Sequence, residues 1–93
     1  MESLELRSVL GFKNMKLVIA KVDQVYYDGE CQSVTLPGAA GELTVLGHHE
    51  PLITTLKEGI ITVRAANLEN GQITFPITKG LLEVRSDGAT VIL

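Results

Sequence analysis

The chain has 93 residues, which bounds it to one domain with one modest core. Apolar residues make up 45% of it, yet only four are Phe or Tyr and none is Trp, so the predicted core is aliphatic. The net charge of −3, without a basic stripe, argues against binding to nucleic acid or to an anionic membrane surface.

The first 14 residues differ from the rest because charged side chains interrupt their apolar residues. No apolar run there is long enough for a signal-peptide core or a spanning helix. Leu6, Val9 and Leu10 could share one side of a short helix, but so short a helix is marginal unless it docks on other residues. We therefore expect a flexible leader over residues 1–14 and a folded domain over residues 15–93.

From residue 16 onward, short runs of aliphatic and β-branched residues alternate with turn residues, which is typical of strands. Turns are predicted at Asp28-Gly29, Asn70-Gly71 and Asp87-Gly88, and Pro37-Gly38 is predicted to end a strand. The predicted strands cover residues 17–22, 25–27, 30–36, 43–46, 52–56, 60–65, 72–78, 81–85 and 89–93. Seven to ten short strands without a convincing long helix indicate an all-β sandwich or a small barrel.

Residues 72–78 show the clearest alternation in the chain. Ile73, Phe75 and Ile77 would face one side of the strand, and the residues between them the other. Because Pro76 has no amide hydrogen to donate, its amide side is predicted to face a sheet edge or a bulge.

The stretch from Gly41 to Gly59 contains two apolar strands around a corner with His48, His49 and Glu50. Both glycines are placed where the backbone could need positive φ. Adjacent side chains on a strand point to opposite faces, so the two imidazoles are poorly arranged to share one metal ion. We expect a polar corner and no metal site there.

Cys31 is the one cysteine of the chain, so it cannot form an internal disulfide, and it fits a reducing compartment better than secretion. Its predicted place within a strand favours a structural thiol over a nucleophile. Glu83 and Arg85 are two apart on one strand, where they would form a solvated ion pair. No set of catalytic residues emerges from the spacing.

Two segments carry a family likeness. Gly41-Glu42-Leu43-Thr44-Val45-Leu46-Gly47-His48-His49-Glu50-Pro51-Leu52-Ile53-Thr54-Thr55-Leu56-Lys57-Glu58-Gly59 resembles a signature of the rotary F-type ATP synthase epsilon subunit, and Lys79-Gly80-Leu81-Leu82-Glu83-Val84 resembles a second strand of that family. The likeness extends over residues 15–93 and implies the family's N-terminal domain, a two-sheet β-sandwich of about ten short strands. It also implies a non-catalytic subunit of the central stalk that bridges the gamma subunit and the c ring, on the cytoplasmic face of a bacterial inner membrane.

The resemblance also implies contact residues. Glu42 and His49 match positions facing the c ring, and Lys21, Thr54, Ile60 and Thr78 match positions facing gamma. Other readings stay open: a solvated turn carboxylate for Glu42, a histidine bonded to its own turn for His49, and ordinary β-propensity for the threonines.

The chain also departs from the family. Lys79 stands where the family has a glycine, and His48 and Glu50 make the corner beside His49 more polar. The family's C-terminal pair of helices is missing from this sequence. We therefore expect no cofactor, no ATP binding and no inhibition by helices of this chain.

Two rival functions remain at this point. A carrier domain of the lipoyl or biotinyl type would need a modified lysine on a turn, for which Lys57 is the one tempting residue. A hydrolase would need Cys31 paired with a histidine.

Overall fold

The structure is a computed structural model that describes residues 14–47 and 50–93. These residues form nine strands and one turn of 3₁₀ helix, so the all-β prediction is confirmed, with nine strands against about ten. Except for Asn14, the predicted leader lies outside the described residues. The strands are β1 Met15–Lys21, β2 Gln24–Cys31, β3 Ser33–Gly38, β4 Gly41–Leu46, β5 Leu52–Leu56, β6 Gly59–Arg64, β7 Gln72–Ile77, β8 Gly80–Arg85 and β9 Gly88–Ile92, and the 3₁₀ turn is Glu69–Gly71.

The strands follow the order β2-β1-β9-β8-β5-β3-β6-β7, and β4 pairs with β3. A five-stranded half (β2-β1-β9-β8-β5) meets a four-stranded half (β4-β3-β6-β7) at one pairing, Gly38 with Leu56. Beside this pairing, the Ala39 amide donates to the Thr55 carbonyl and the Lys57 amide donates to the Pro37 carbonyl, both at 2.9 Å. Because so few bonds join the halves, the sheet can turn there and bring its two inner faces together.

The core lies between these inner faces and is aliphatic, as predicted. Alternation along each strand sends every second side chain inward. Both halves contribute to one cluster, and each fully buried aliphatic side chain in it stabilises the fold by roughly 1.5–3 kcal/mol. The fully buried members include Leu17, Ile19, Val34, Leu36, Val45, Ile61, Val63, Leu82 and Val91.

The prediction of a turn at Asp28-Gly29 is wrong. Both residues are extended within β2, where Asp28 pairs with Val18 and Gly29 pairs with Leu17 of β1. The actual turn lies at residues 22–23, where Val22 is fully exposed. Pairing along the whole of β1 therefore overrides the local preference of Asp-Gly for a tight turn.

The strand end predicted at Pro37-Gly38 is displaced. Both residues belong to β3, and Ala39-Ala40 forms the two-residue turn into β4. Gly41 has the expected positive φ, 141°. Gly59 does not; a Cβ there would lie 2.7 Å from Cβ of Pro37, so this glycine serves the close approach of β6 to β3.

The two strands around the central corner belong to different halves. β4 pairs with β3, whereas β5 pairs with β8 over its whole length. The hairpin predicted around Asn70-Gly71 is present between β6 and β7, and both residues have positive φ, at 60° and 77°. Its connection is longer than a tight turn, since it covers residues 65–71.

Candidate functional site

A cleft of about 630 Å³ opens between the two halves at one end of the sandwich. The β1–β2 hairpin forms one side of it, and the facing ends of β6 and β7 form the other. The lining residues are Lys21, Tyr26, Glu58, Gly59, Ile60, Phe75, Pro76, Ile77, Thr78 and Leu93.

Aromatic and aliphatic side chains form the interior of this cleft. The Tyr26 and Phe75 rings meet edge to face across the two halves, with centroids 6.3 Å apart and planes at 65°. Ile77 is buried beside them, and the Leu93 amide donates to the Ala20 carbonyl at 2.9 Å, which continues the β1–β9 pairing into the cleft. An apolar interior of this kind suits an apolar side chain of a partner.

The rim of the cleft is polar and exposed. Lys21 and Glu58 place opposite charges there, and Thr78 adds a hydroxyl. Ile60 is 54% exposed at the start of β6, which is unusual for a large aliphatic residue of a strand. The structure thus brings together three of the four residues predicted to face gamma: Lys21, Ile60 and Thr78.

Thr54 does not line this cleft. It pairs with the buried Leu82 in the β5–β8 ladder, and directly paired residues share a face, so Thr54 is on the inner side of its strand. It is half-buried, and its hydroxyl donates to the Thr55 carbonyl at 3.4 Å. The gamma contact assigned to Thr54 stays a prediction that the geometry does not favour.

Glu42 lies at the same end of the sandwich as the cleft. It is exposed, and it pairs with Pro37, which in turn closely approaches Gly59 at the cleft. Gly47 follows the other end of β4 and is therefore about 16 Å from Glu42, at 3.3 Å per residue along the strand. His49 lies outside the described residues, so its c-ring contact also stays a prediction.

A second cavity, of about 320 Å³, lies at the opposite end of the sandwich, around Arg85. Nη1 of Arg85 is 3.5 Å from Oε1 of Glu83, and Nε is 3.4 Å from Oδ1 of Asp87. The guanidinium also donates to the Thr90 hydroxyl at 3.0 Å. The predicted Glu83–Arg85 pair is confirmed, and since both side chains are about half exposed it contributes little stability.

Cys31 is buried in the core, with 1% of its surface exposed. Burial raises the pKa of its thiol to about 11, which keeps it protonated and unreactive near neutral pH. The structural interpretation of this cysteine is therefore supported over the nucleophile. Among residues 14–47 and 50–93, no three His, Cys, Asp or Glu side chains are grouped to hold a metal ion.

A sequence model described as "ATP synthase, Delta/Epsilon chain, beta-sandwich domain" matches residues 14–93. The chain belongs to the ATP synthase delta/epsilon family. It is 39% identical over 80 residues to the ATP synthase epsilon chain 2 of Burkholderia orbicola, which covers 85% of this chain and 51% of that one. It is 33% identical over 78 residues to the ATP synthase epsilon chain of Herminiimonas arsenicoxydans, with 84% and 55% covered.

Solved structures share the fold of this delta/epsilon chain. A chain of the Euglena gracilis mitochondrial ATP synthase, solved as OSCP/F1/c-ring, matches with a TM-score of 0.75 and 22% identity over 85% of this chain and 49% of that one. A chain of the Tetrahymena thermophila central stalk and c ring matches with a TM-score of 0.67 and 15% identity, with 86% and 63% covered. This delta/epsilon chain spans about half the length of the curated relatives it matches.

Within the described part of this delta/epsilon chain, no helix is long and apolar enough to cross a membrane. Lys79, which departs from the family's glycine, is exposed and has no positive φ, so its backbone tolerates a side chain. Lys57 lies in the turn between β5 and β6, and its amide is bonded to Pro37. Family membership gives the carrier interpretation of Lys57 no support.

Four other residues of the cleft were not predicted to belong to a site: Tyr26, Glu58, Phe75 and Leu93. Tyr26 and Phe75 meet only because the two halves close on each other, and no spacing along the chain encodes that contact. The one hint was composition, since two of only four aromatic residues are used here.

Proposed function

We propose that this chain is a non-catalytic rotor subunit of a proton-translocating ATP synthase, bridging a gamma-type stalk subunit and the c ring. One observation carries the proposal. Three residues predicted to face gamma converge on one cleft, at the same end of the sandwich as Glu42, the residue predicted to face the c ring. A bridge between two neighbours needs both contacts on one rigid body.

The packing of the domain suits this role. One aliphatic core joins both halves, and the paired strands leave few ways for the domain to bend. Torque passes between two neighbours only if the body between them does not deform. On this proposal the chain works without a cofactor, nucleic acid or lipid insertion, at the cytoplasmic face of a bacterial inner membrane.

The cleft supplies the gamma contact in this proposal, and Glu42 supplies the c-ring contact. Ile60 at the rim and the apolar interior would take up an apolar side chain of gamma, and loss of exposed apolar area drives such binding. Glu42 would face the polar loops of the c ring as an exposed carboxylate.

Two charge-introducing variants test the two contacts separately. Ile60→Lys is expected to weaken capture of the chain by purified gamma at least tenfold, because a charge replaces the exposed apolar residue at the rim. Glu42→Lys is expected to weaken assembly with the c ring while gamma is still bound. Neither is expected to change the free energy of unfolding by more than about 0.5 kcal/mol, as is usual at surface positions.

Each variant has a matched control. Ile53→Lys changes a residue of the same type, 69% exposed, on the five-stranded half. Glu69→Lys makes the same charge reversal in the β6–β7 connection. Wild-type chain that is not captured by gamma at micromolar concentration contradicts the proposal, as does equal weakening by the variant and its control.

A further inference from the structure

Among the described residues, three strands have one edge wholly free, β2, β7 and β4, whereas β5 is joined to β3 at Leu56. An open edge exposes backbone amides and carbonyls in the geometry that pairs with another strand. β4 has no described neighbour besides β3, and it is six residues long. The three edges differ in how well they are protected against pairing.

The hydrogen bonds show which backbone groups of β4 point outward. Gly38 and Gly41 close the two-residue turn, and the Pro37 carbonyl and the Ala39 amide are directed to β5, away from β4. Since bonding alternates along an antiparallel pair, Gly41, Leu43 and Val45 bond to β3. The amides and carbonyls of the residues between them are left for a neighbour on the free side: Glu42, Thr44 and Leu46.

The other two edges carry features that oppose pairing. In β7, Pro76 occupies an outward position and has no amide to offer. In β2, Asp28 and Glu30 place two charges of one sign on the strand. β4 has no proline, its one charge is at Glu42 near its start, and Leu46 is 56% exposed. It is the one edge of the three without such protection along its length.

We infer that the free edge of β4 receives an extended segment of the gamma-type partner, which adds a strand to the four-stranded half. This inference rests on the proposed function. Main-chain bonds to Thr44 and Leu46 would supply the contact. The added segment would have no proline at the positions that bond to β4.

The size of the edge favours such a partner over a second copy of this chain. A six-residue strand is about 20 Å long and covers about 200 Å² when one strand pairs with it. Stable complexes bury about 800 Å² on each partner. The occupant must therefore reach neighbouring surface, and the gamma-type partner is already proposed to contact the cleft at the Glu42 end of β4.

Hydrogen exchange tests the inference without any substitution. In the free chain, the amides of Glu42, Thr44 and Leu46 are expected to exchange quickly, and those of Leu43 and Val45 slowly. Saturating gamma is expected to slow exchange at Thr44 and Leu46 at least tenfold. Unchanged exchange at both amides in a complex that does form overturns the inference and leaves the proposed function intact.

A proline substitution gives the second test. Thr44→Pro removes one outward amide and leaves the bonds to β3, and it is expected to weaken gamma binding at least tenfold. Thr74→Pro makes the same change at an outward position of β7 and is expected to stay within twofold of wild type. Thr44→Ala removes only the side chain, with its 3.0 Å contact to the Thr35 hydroxyl, and is also expected to stay within twofold.

Other occupants give distinct results. A wild-type dimer in sedimentation, lost in Thr44→Pro but kept in Thr74→Pro, assigns the edge to a second copy and overturns the inference. Slow exchange at Thr44 and Leu46 in the free chain that becomes fast on deletion of residues 1–13 assigns the edge to this chain's own N-terminal segment and also overturns it. If Thr44→Pro does not fold, the wild-type exchange experiment decides.

Discussion

The four-stranded half ends in two edges, β4 and β7, that are alike on the inside and different on the outside. Each buries a residue against the common core, Val45 in β4 and Ile77 in β7. β4 follows a two-residue turn and keeps all its amides, whereas β7 follows a seven-residue connection and contains Pro76. The core therefore does not explain why the two strands differ.

Folding and assembly therefore place separate demands on these strands. Inward positions are constrained by one shared core, so both edges satisfy the same packing rule. Outward backbone groups are constrained only by what approaches them from outside. A proline on one edge opposes pairing there, and an open edge on the other permits it. Substitutions that change one edge at a time test whether the two demands are separate.

The largest effect is expected from the turn that sets β4 against β3. A Cβ on Gly38 would lie 2.7 Å from the Gly41 carbonyl oxygen, and backbone cannot move away without disturbing the hairpin. Gly38→Ala is therefore expected to lower the free energy of unfolding by about 3 kcal/mol, within the range for overpacking. Urea denaturation followed by circular dichroism measures this.

The matching change on the other hairpin is Gly71→Ala. A Cβ there meets no atom within 4 Å, and the cost arises only from φ at 77°, about 1 kcal/mol. The β4 hairpin is thus expected to be the more sensitive by about 2 kcal/mol. Equal losses for both substitutions contradict the idea that β4 is held in place by close backbone contact.

Much of the fold could be predicted from the sequence because period-2 alternation and turn residues act locally. The strand Gln72–Ile77, predicted over residues 72–78, and the positive φ at Asn70-Gly71 follow from such local chemistry. Asp28-Gly29 misled because β1 offers a continuous partner, and the chain instead turns at Val22-Asp23, where Asp23 is the one turn-favouring residue. Tertiary pairing won over local propensity there.

The candidate site was harder to predict than the fold. Lys21, Ile60 and Thr78 came from a resemblance, and their convergence on one cleft required the two halves to close. Thr54 came from the same resemblance, yet its strand register turns it inward beside Leu82. Register is a property of paired strands, so a motif in one strand does not determine which face a residue occupies.

A change of pH is expected to have an intermediate effect, acting on the core beneath both edges. Burial raises the pKa of the Cys31 thiol to about 11, whereas an unfolded thiol ionises near pH 9. As pH rises through about 9, the unfolded state loses this proton while the folded state keeps it until the pH approaches 11, so stability falls between these two values. The contribution of Cys31 is expected to be about 1.4 kcal/mol lower at pH 10 than at pH 7.

Cys31→Ala provides the comparison, because it removes this titration and leaves the other groups in place. The difference in unfolding free energy between wild type and variant is expected to shrink as pH rises. Both edges rest on the same core, so exchange of the amides bonded within β3–β4 and β6–β7 is expected to accelerate together with pH, and more in wild type than in Cys31→Ala at the same pH. If the difference in unfolding free energy between wild type and variant is constant between pH 7 and 10, the thiol ionises as easily in the folded chain as in the unfolded chain, which contradicts the prediction.

The smallest effect on stability is expected where the comparison is most direct. Pro76 is exposed at the β7 edge, so Pro76→Thr is expected to change the free energy of unfolding by less than about 0.5 kcal/mol. The substitution restores an outward amide and removes the protection of that edge. We expect it to increase self-association in sedimentation at high protein concentration, while Thr74→Val at the same edge does not.

This variant also separates two explanations of the open β4 edge. If Pro76 protects β7, its replacement makes the two edges equivalent in backbone chemistry, and gamma still binds only β4 because the contact with the cleft positions it there. If Pro76→Thr stays as monomeric as wild type, the proline is not a protective feature, and the contrast between the edges loses its meaning. Amide exchange at Thr74 and Gln72 in the complex of Pro76→Thr with gamma tests whether gamma binds only β4, since pairing at β7 would slow exchange at these two amides.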